Sequence, residues 1–236
     1  MDIFLKDLVG TDCCIHVDDL ILFSKTAEEH AEKLEGVLER FERANLQLNP
    51  RKCVIAQPQV KYVGYVLPEG FSASSDKVDA VREYTTSRNA KDVRVFLRLA
   101  SFYRRLVSKF AESAKPLTKL TRKGQEFNWG PSQQEAFDKL KAKLCTTPVL
   151  GYPNFDLPFI LTTDASKVAI AAILSQVQNG LERPVAYASR QLNKPEQAYS
   201  ALEAELLALV WAAKHFRCYL FSKRFRSERT MQHLRT

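Results

Sequence analysis

Apolar runs with strand character alternate along this chain with amphipathic stretches of helical period. Residues 14–23 read as strand, turn, strand: Ile, Leu, Val and Phe flank the pair Asp18-Asp19, a polar break of the kind that closes a hairpin. Thr26 and Glu29 then stand at capping-box spacing, and Ala27, Ala31, Leu34, Leu38 and Phe41 fall on one helical stripe. Residues 59–66, rich in valine and tyrosine, are predicted as one strand, ended by Pro68 and Gly70. A short helix is predicted over 76–84. Asn89, with Asp92 three residues on, can cap a second one, whose buried stripe is Val93, Phe96, Leu97, Ala100 and Tyr103.

The second half changes character. Phe127 and Trp129 lie in a connector between Gly124 and Gly130, and Pro131 suits the first turn of a helix with an apolar stripe at Ala136, Phe137, Leu140 and Leu144. Pro148, Gly151, Pro153 and Pro158 break regular structure. Strands follow over 157–163, 168–176 and 183–189, with the turn pair Asn179-Gly180 between the last two. Ser200 caps a long helix with Glu203 at its third position, and Leu202, Leu206, Leu209, Ala213 and Phe216 are its expected buried face. Strands in series followed by a helix imply an α+β, multidomain chain.

Composition narrows this picture without changing it. The 236 residues are 45% hydrophobic and 26% charged, enough for one or two cores. The cysteines (Cys13, Cys14, Cys53, Cys145 and Cys218) form no CxxC pair, which excludes a disulfide scaffold and a cysteine zinc site as readings and favours an intracellular protein, cytoplasmic or nuclear, over a secreted one. No apolar run is long enough to cross a membrane, and the charged start is no signal peptide. The net charge of +8 is modest. Its distribution says more, because residues 94–123 hold nine basic side chains and one acid, Glu112.

A carboxylate in an apolar run needs compensation. For Asp18 and Asp19 the two readings are a solvent-exposed turn and a divalent-metal site, since hard Mg²⁺ prefers carboxylate oxygen. Asp164, at the end of strand 157–163, is a turn former or a metal ligand. Glu203 and Glu205 flank the apolar stripe of the long helix on opposite sides, and either could be an ordinary first-turn acid. The four histidines form no ligand motif, and no Gly-rich phosphate loop or nucleophile elbow is present.

His16-Val17-Asp18-Asp19 followed by Leu20-Ile21-Leu22-Phe23-Ser24 resembles the catalytic hairpin of reverse transcriptases, with a close resemblance to Pol polyproteins of gypsy-class long-terminal-repeat retrotransposons. The segments 45–53 and 63–66 resemble the end of the family's palm, 93–105 its thumb, and Phe127-Asn128-Trp129 with Gln134-Glu135-Ala136-Phe137 its connector. Thr163-Asp164-Ala165-Ser166, Ala186-Tyr187-Ala188-Ser189-Arg190 and the run 199–206 resemble its tethered ribonuclease H domain. The resemblance implies a partial palm over 1–72, a helical thumb over 73–123, a connector over 124–154 and a truncated RNase H-like α/β domain over 155–236. It implies that Asp18 is the main metal-binding carboxylate of the polymerase hairpin with Asp19 its neighbour. It also implies that Asp164 and Glu205, rather than Glu203, are the first two carboxylates of a two-Mg²⁺ ribonuclease H site. Arg94, Arg98, Arg104, Arg105 and Lys109 would neutralise phosphates of primer–template or RNA–DNA hybrid without reading sequence.

Departures from the family pattern set further expectations. The family's upstream palm aspartate has no counterpart ahead of the hairpin, and His16 stands where a tyrosine is usual. With Phe225 and Leu234 aligned, Thr230 stands in an aspartate position, and a hydroxyl cannot supply that charge. Glu228, two residues away on a strand, is displaced by about 6–7 Å. The expected function is therefore that of an RNA-directed DNA polymerase and ribonuclease H within an intact polyprotein, with neither reaction expected of the isolated chain. Two alternatives are a non-catalytic basic nucleic-acid-binding remnant and a transposon fragment without function.

Overall fold

The computed structural model describes residues 4–16, 19–57, 60–62, 65–67, 72–146 and 149–229, and the chain divides into two compact units at Pro68. In the first unit, β1 (Cys13–His16) and β2 (Asp19–Leu22) pair antiparallel from Cys13↔Leu22 to His16↔Asp19. The expected hairpin is present. Asp19, however, is the first residue of β2, exposed and laddered to His16, rather than a turn residue; Asp18 lies outside the described residues.

α1 (Ala27–Arg43) starts where the capping residues place it, with Thr26 Oγ1 accepting from the Glu29 amide at 3.2 Å. Its buried face is rotated from the expected stripe: Val37 and Phe41 are buried with Leu5, while Leu38 is 43% exposed. The rotation places Lys33 and Arg40 beside the preceding segment, where Lys33 pairs with Asp12 at 2.9 Å and Arg40 makes a two-pronged contact to Asp7. The run read as one strand over 59–66 is two, β3 (Val60–Tyr62) and β4 (Tyr65–Leu67), paired antiparallel through Tyr62↔Tyr65. Valine and tyrosine on both sides of Gly64 read as one strand and do not reveal that the chain folds back.

The second unit begins with the two-residue strand β5 (Ser72–Ala73), followed by the helices α2 (Ser75–Arg82), α3 (Ala90–Phe102), α4 (Phe110–Leu120) and α5 (Pro131–Cys145). Asn89 Oδ1 accepts from the amides of Lys91 and Asp92, and Val93, Phe96, Ala100 and Tyr103 are buried as the period predicts. The Phe96 and Phe137 rings meet at 4.6 Å and join α3 to α5, which buries Ala136, Phe137, Leu140 and Leu144.

A four-stranded sheet follows in the order β8-β7-β6-β9, from β6 (Phe159–Ala165), β7 (Ala169–Gln178), β8 (Leu181–Gln191) and β9 (Phe225–Arg229). β6, β7 and β8 are antiparallel neighbours, whereas β9 runs parallel to β6. Asn179 and Gly180 both have positive φ, as a tight two-residue hairpin turn requires.

α6 (Ala201–His215) carries the expected capping box, with the Glu203 carboxylate accepting from the Ser200 amide and hydroxyl, each at 2.8 Å. Its inward face differs from the expected one. Ala204, Ala208 and Ala212 are buried, whereas Leu202 and Leu206 are 58% and 48% exposed. The helix is apolar on nearly every side, so period alone could not select a face; small alanines allow the closer approach to the sheet. Phe216 is buried as expected, beside the four-residue helix α7 (Arg217–Leu220).

Candidate functional site

Strand alternation gives the sheet two distinct faces. Leu161, Leu174 and Ala186 lie abreast on one, as do Thr163, Ala172 and Ala188, and α6 and α7 pack there through Ala212, Phe216 and Leu220. Asp164, Ala171 and Ser189 form the next row along, across β6, β7 and β8 on the other face.

The start of α4 lies along that row. Lys109 Nζ sits 2.9 Å from Asp164 Oδ2. The Ala111 amide donates a buried hydrogen bond to Ser189 Oγ at 2.9 Å, and Arg104 Nη2 donates to the Ser189 carbonyl at 2.7 Å. Arg105 Nη2 donates to the Tyr219 hydroxyl at 2.6 Å. From α5, Lys143 Nζ donates to the Ser108 carbonyl at 2.9 Å and to Ser113 Oγ at 3.2 Å, holding both sides of the turn that carries Lys109. Burial holds the Lys143 ammonium below the ordinary lysine range, with nearby Lys139 adding to the effect.

Lys109 is an unusual helix start. Its φ of 53° is left-handed, a conformation that costs a residue with a β-carbon about 1–2 kcal/mol. A cation at the positive end of a helix is also unfavourable. The carboxylate of Asp164, whose side chain is 13% exposed, compensates both by pairing with the ammonium.

The remaining predicted residues fall as follows. Arg94 and Arg98 lie on the exposed side of α3, with Arg94 Nη2 donating to the Thr121 carbonyl at 3.2 Å. Glu203 is occupied with its helix cap, which separates it from Glu205, half-buried on α6. Glu228 stands opposite Thr162 in the β6–β9 ladder, two positions back from Asp164, with its carboxylate 3.0 Å from Arg226. The described ladder ends at Thr163↔Arg229, and Thr230 lies outside the described residues. Among the described residues no group of three or more His, Cys, Asp or Glu could hold a metal ion. With Asp164 paired to a lysine, the residues present here do not fit a Mg²⁺ centre.

Ser189 was not a candidate from sequence, although it carries two of the contacts that seat α4. Nothing in its period marks it, because its role depends on the register that sets it beside Asp164. The pairing of Lys109 with Asp164 is equally invisible, since the two are more than fifty residues apart in the chain.

Two family descriptions match. The reverse transcriptase (RNA-dependent DNA polymerase) family matches residues 1–67, and the RNase H-like domain found in reverse transcriptase matches residues 129–227. Curated relatives include the retrovirus-related Pol polyprotein from transposon opus of Drosophila melanogaster, 38% identical over 94% of this chain and 23% of that protein. The transposon Tf2-3 polyprotein of Schizosaccharomyces pombe is 35% identical over 93% of this chain and 17% of its own length. The chain thus spans about a fifth of these relatives.

Among solved structures, the foamy viral protease-reverse transcriptase in complex with dsDNA superposes with a TM-score of 0.84 at 22% identity, over 97% of this chain and 48% of that one. The same viral protein in complex with RNA/DNA hybrid gives 0.83 over 97% and 31%. This likeness establishes the fold: a mixed α/β architecture of reverse transcriptase palm and thumb with an RNase H-like region. With its sequence relatives and its fold in agreement along nearly its whole length, the chain belongs to the retrovirus- and retrotransposon-like Pol proteins of the gypsy class, with reverse transcriptase and RNase H-like regions.

Proposed function

We propose that this span is the part of a retrotransposon Pol protein that holds primer–template or RNA–DNA hybrid, and that by itself it neither extends nor cleaves nucleic acid. Polymerase and ribonuclease H chemistry then belong to the intact polyprotein. The observation that carries this reading is the outer side of α3. Lys91, Arg94 and Arg98 are exposed at helical spacings of three and four, so they share one face, and exposed Arg88 lies just before the helix. Such a row suits the phosphate backbone and carries no sequence preference. The nucleic-acid complexes of the foamy viral relative are in keeping with it.

Anisotropy titrations of an RNA–DNA hybrid over a range of salt test this directly. Arg94→Glu combined with Arg98→Glu should weaken binding at low salt by tenfold or more and reduce the salt slope by about 2. Unchanged affinity would refute the assignment. A primer-extension assay on an RNA template with Mg²⁺ should give no product, whereas template-dependent extension that Asp18→Ala abolishes would overturn the inactive reading.

A further inference from the structure

The row Asp164–Ala171–Ser189 is closed along its length by residues 109–111. Lys109 pairs with the first member, and the Ala111 amide bonds to the last. The middle position is an alanine only 8% exposed, which leaves room for the backbone to approach closely. Lys143 holds the chain on both sides of this segment through the Ser108 carbonyl and the Ser113 hydroxyl, and Arg104 adds a bond to the Ser189 carbonyl. The contact therefore belongs to a seated interface and is more than a chance meeting of two long side chains.

We propose that Lys109 is a built-in counter-ion at Asp164, its ammonium standing where a divalent cation would have to bind, so that the first turn of α4 plugs this carboxylate against metal. The charges around it agree. Lys143 lies close enough to Lys109, Lys139 and Glu112 for their charges to act on its ammonium, and its bonds to Ser108 and Ser113 place that second cation beside the turn that carries Lys109. Two unfavourable features converge on Lys109, its left-handed backbone and its place at a positive helix end, and ion pairing with Asp164 is what they permit. The inference is independent of nucleic-acid binding, and its test uses none.

The test is a Mn²⁺ titration of the full chain, read as paramagnetic broadening of the Ala165 and Ala171 amide resonances, which flank Asp164 along and across the strands. Lys109→Gly is the variant of choice, because glycine adopts a φ of 53° without strain and the helix start should keep its shape. Lys109→Gln serves as a second charge-removing variant. Both should broaden these resonances at Mn²⁺ concentrations on the order of tenfold lower than the unmodified chain requires, through loss of charge repulsion. Adding Asp164→Asn should abolish that gain. Equal titrations for the unmodified chain and both variants would overturn the proposal, whether all bind or none does. So would a gain that survives Asp164→Asn, since the metal would then sit elsewhere.

Discussion

The basic run that begins at α3 separates into two sets of charges with different surroundings. Arg94 and Arg98 lie on an exposed helical face. Arg94 donates within the helical region, to the Thr121 carbonyl, whereas Arg104, Arg105 and Lys109 reach Ser189, Tyr219 and Asp164, all at least fifty residues further along the chain. A count of positive residues cannot tell these roles apart. The α3 set faces solvent, whereas the second set, with Arg104 and Arg105 also exposed, ties the helices to the RNase H-like region. Charge density in a sequence is therefore an upper bound on the charge offered to a partner.

The comparison rests on a common platform, and removing that platform should have the largest effect. Phe96 is fully buried between Tyr84 and Phe137. Phe96→Ala should cost about 3–5 kcal/mol in urea unfolding of the second unit, and both sets of charges should lose their definition with it. A smaller effect separates the sets themselves. Arg104→Ala removes a 2.7 Å hydrogen bond to the Ser189 carbonyl and should cost about 1 kcal/mol. Arg98→Ala should stay within about 0.5 kcal/mol while weakening hybrid binding. If the two arginines exchanged these behaviours, the division would be wrong.

A finer consequence concerns pH. Burial, and then the charges of Arg104 and Arg105, hold His215 below the ordinary histidine range, and its ring stacks on Trp211 at 5.3 Å. The unfolded chain then takes up the proton first. The stability contributed by neutral His215 should be complete above the ordinary histidine value and be lost as pH falls from there through the lowered folded value. Comparing urea midpoints at pH 7.5 and 5 checks this: His215→Asn should flatten part of the acid loss, and Arg104→Ala should reduce it, because one of the repelling charges is gone.

Much of this fold was legible in the sequence where local chemistry decides the structure. The caps at Thr26, Asn89 and Ser200 start helices as expected, the α5 stripe is buried residue for residue, and Asn179-Gly180 closes its hairpin. Period does not select a buried face where a segment is apolar on several sides. On α6 the alanines turn inward and Leu202 and Leu206 outward, and Tyr62 ladders to Tyr65 where a lone Gly64, without an asparagine or aspartate beside it, is a weak turn signal. At the site, the resemblance identified Asp164, but its partner could not be read. A lysine in left-handed conformation at a helix start carries no local signal, and its reason for being there is a carboxylate 55 residues on. Ser189 is hidden for the same reason, because only strand register sets it in line with Asp164.

The account turns on whether the helical region and the sheet meet through Lys109 and Asp164. A double-mutant cycle on urea unfolding, with Lys109→Gly, Asp164→Asn and the two together, measures that contact most directly. The pair is partly buried, so a coupling energy of about 1 kcal/mol is predicted, at the upper end for ion pairs that retain some solvent. Additive single effects, with no coupling beyond error, would contradict the account.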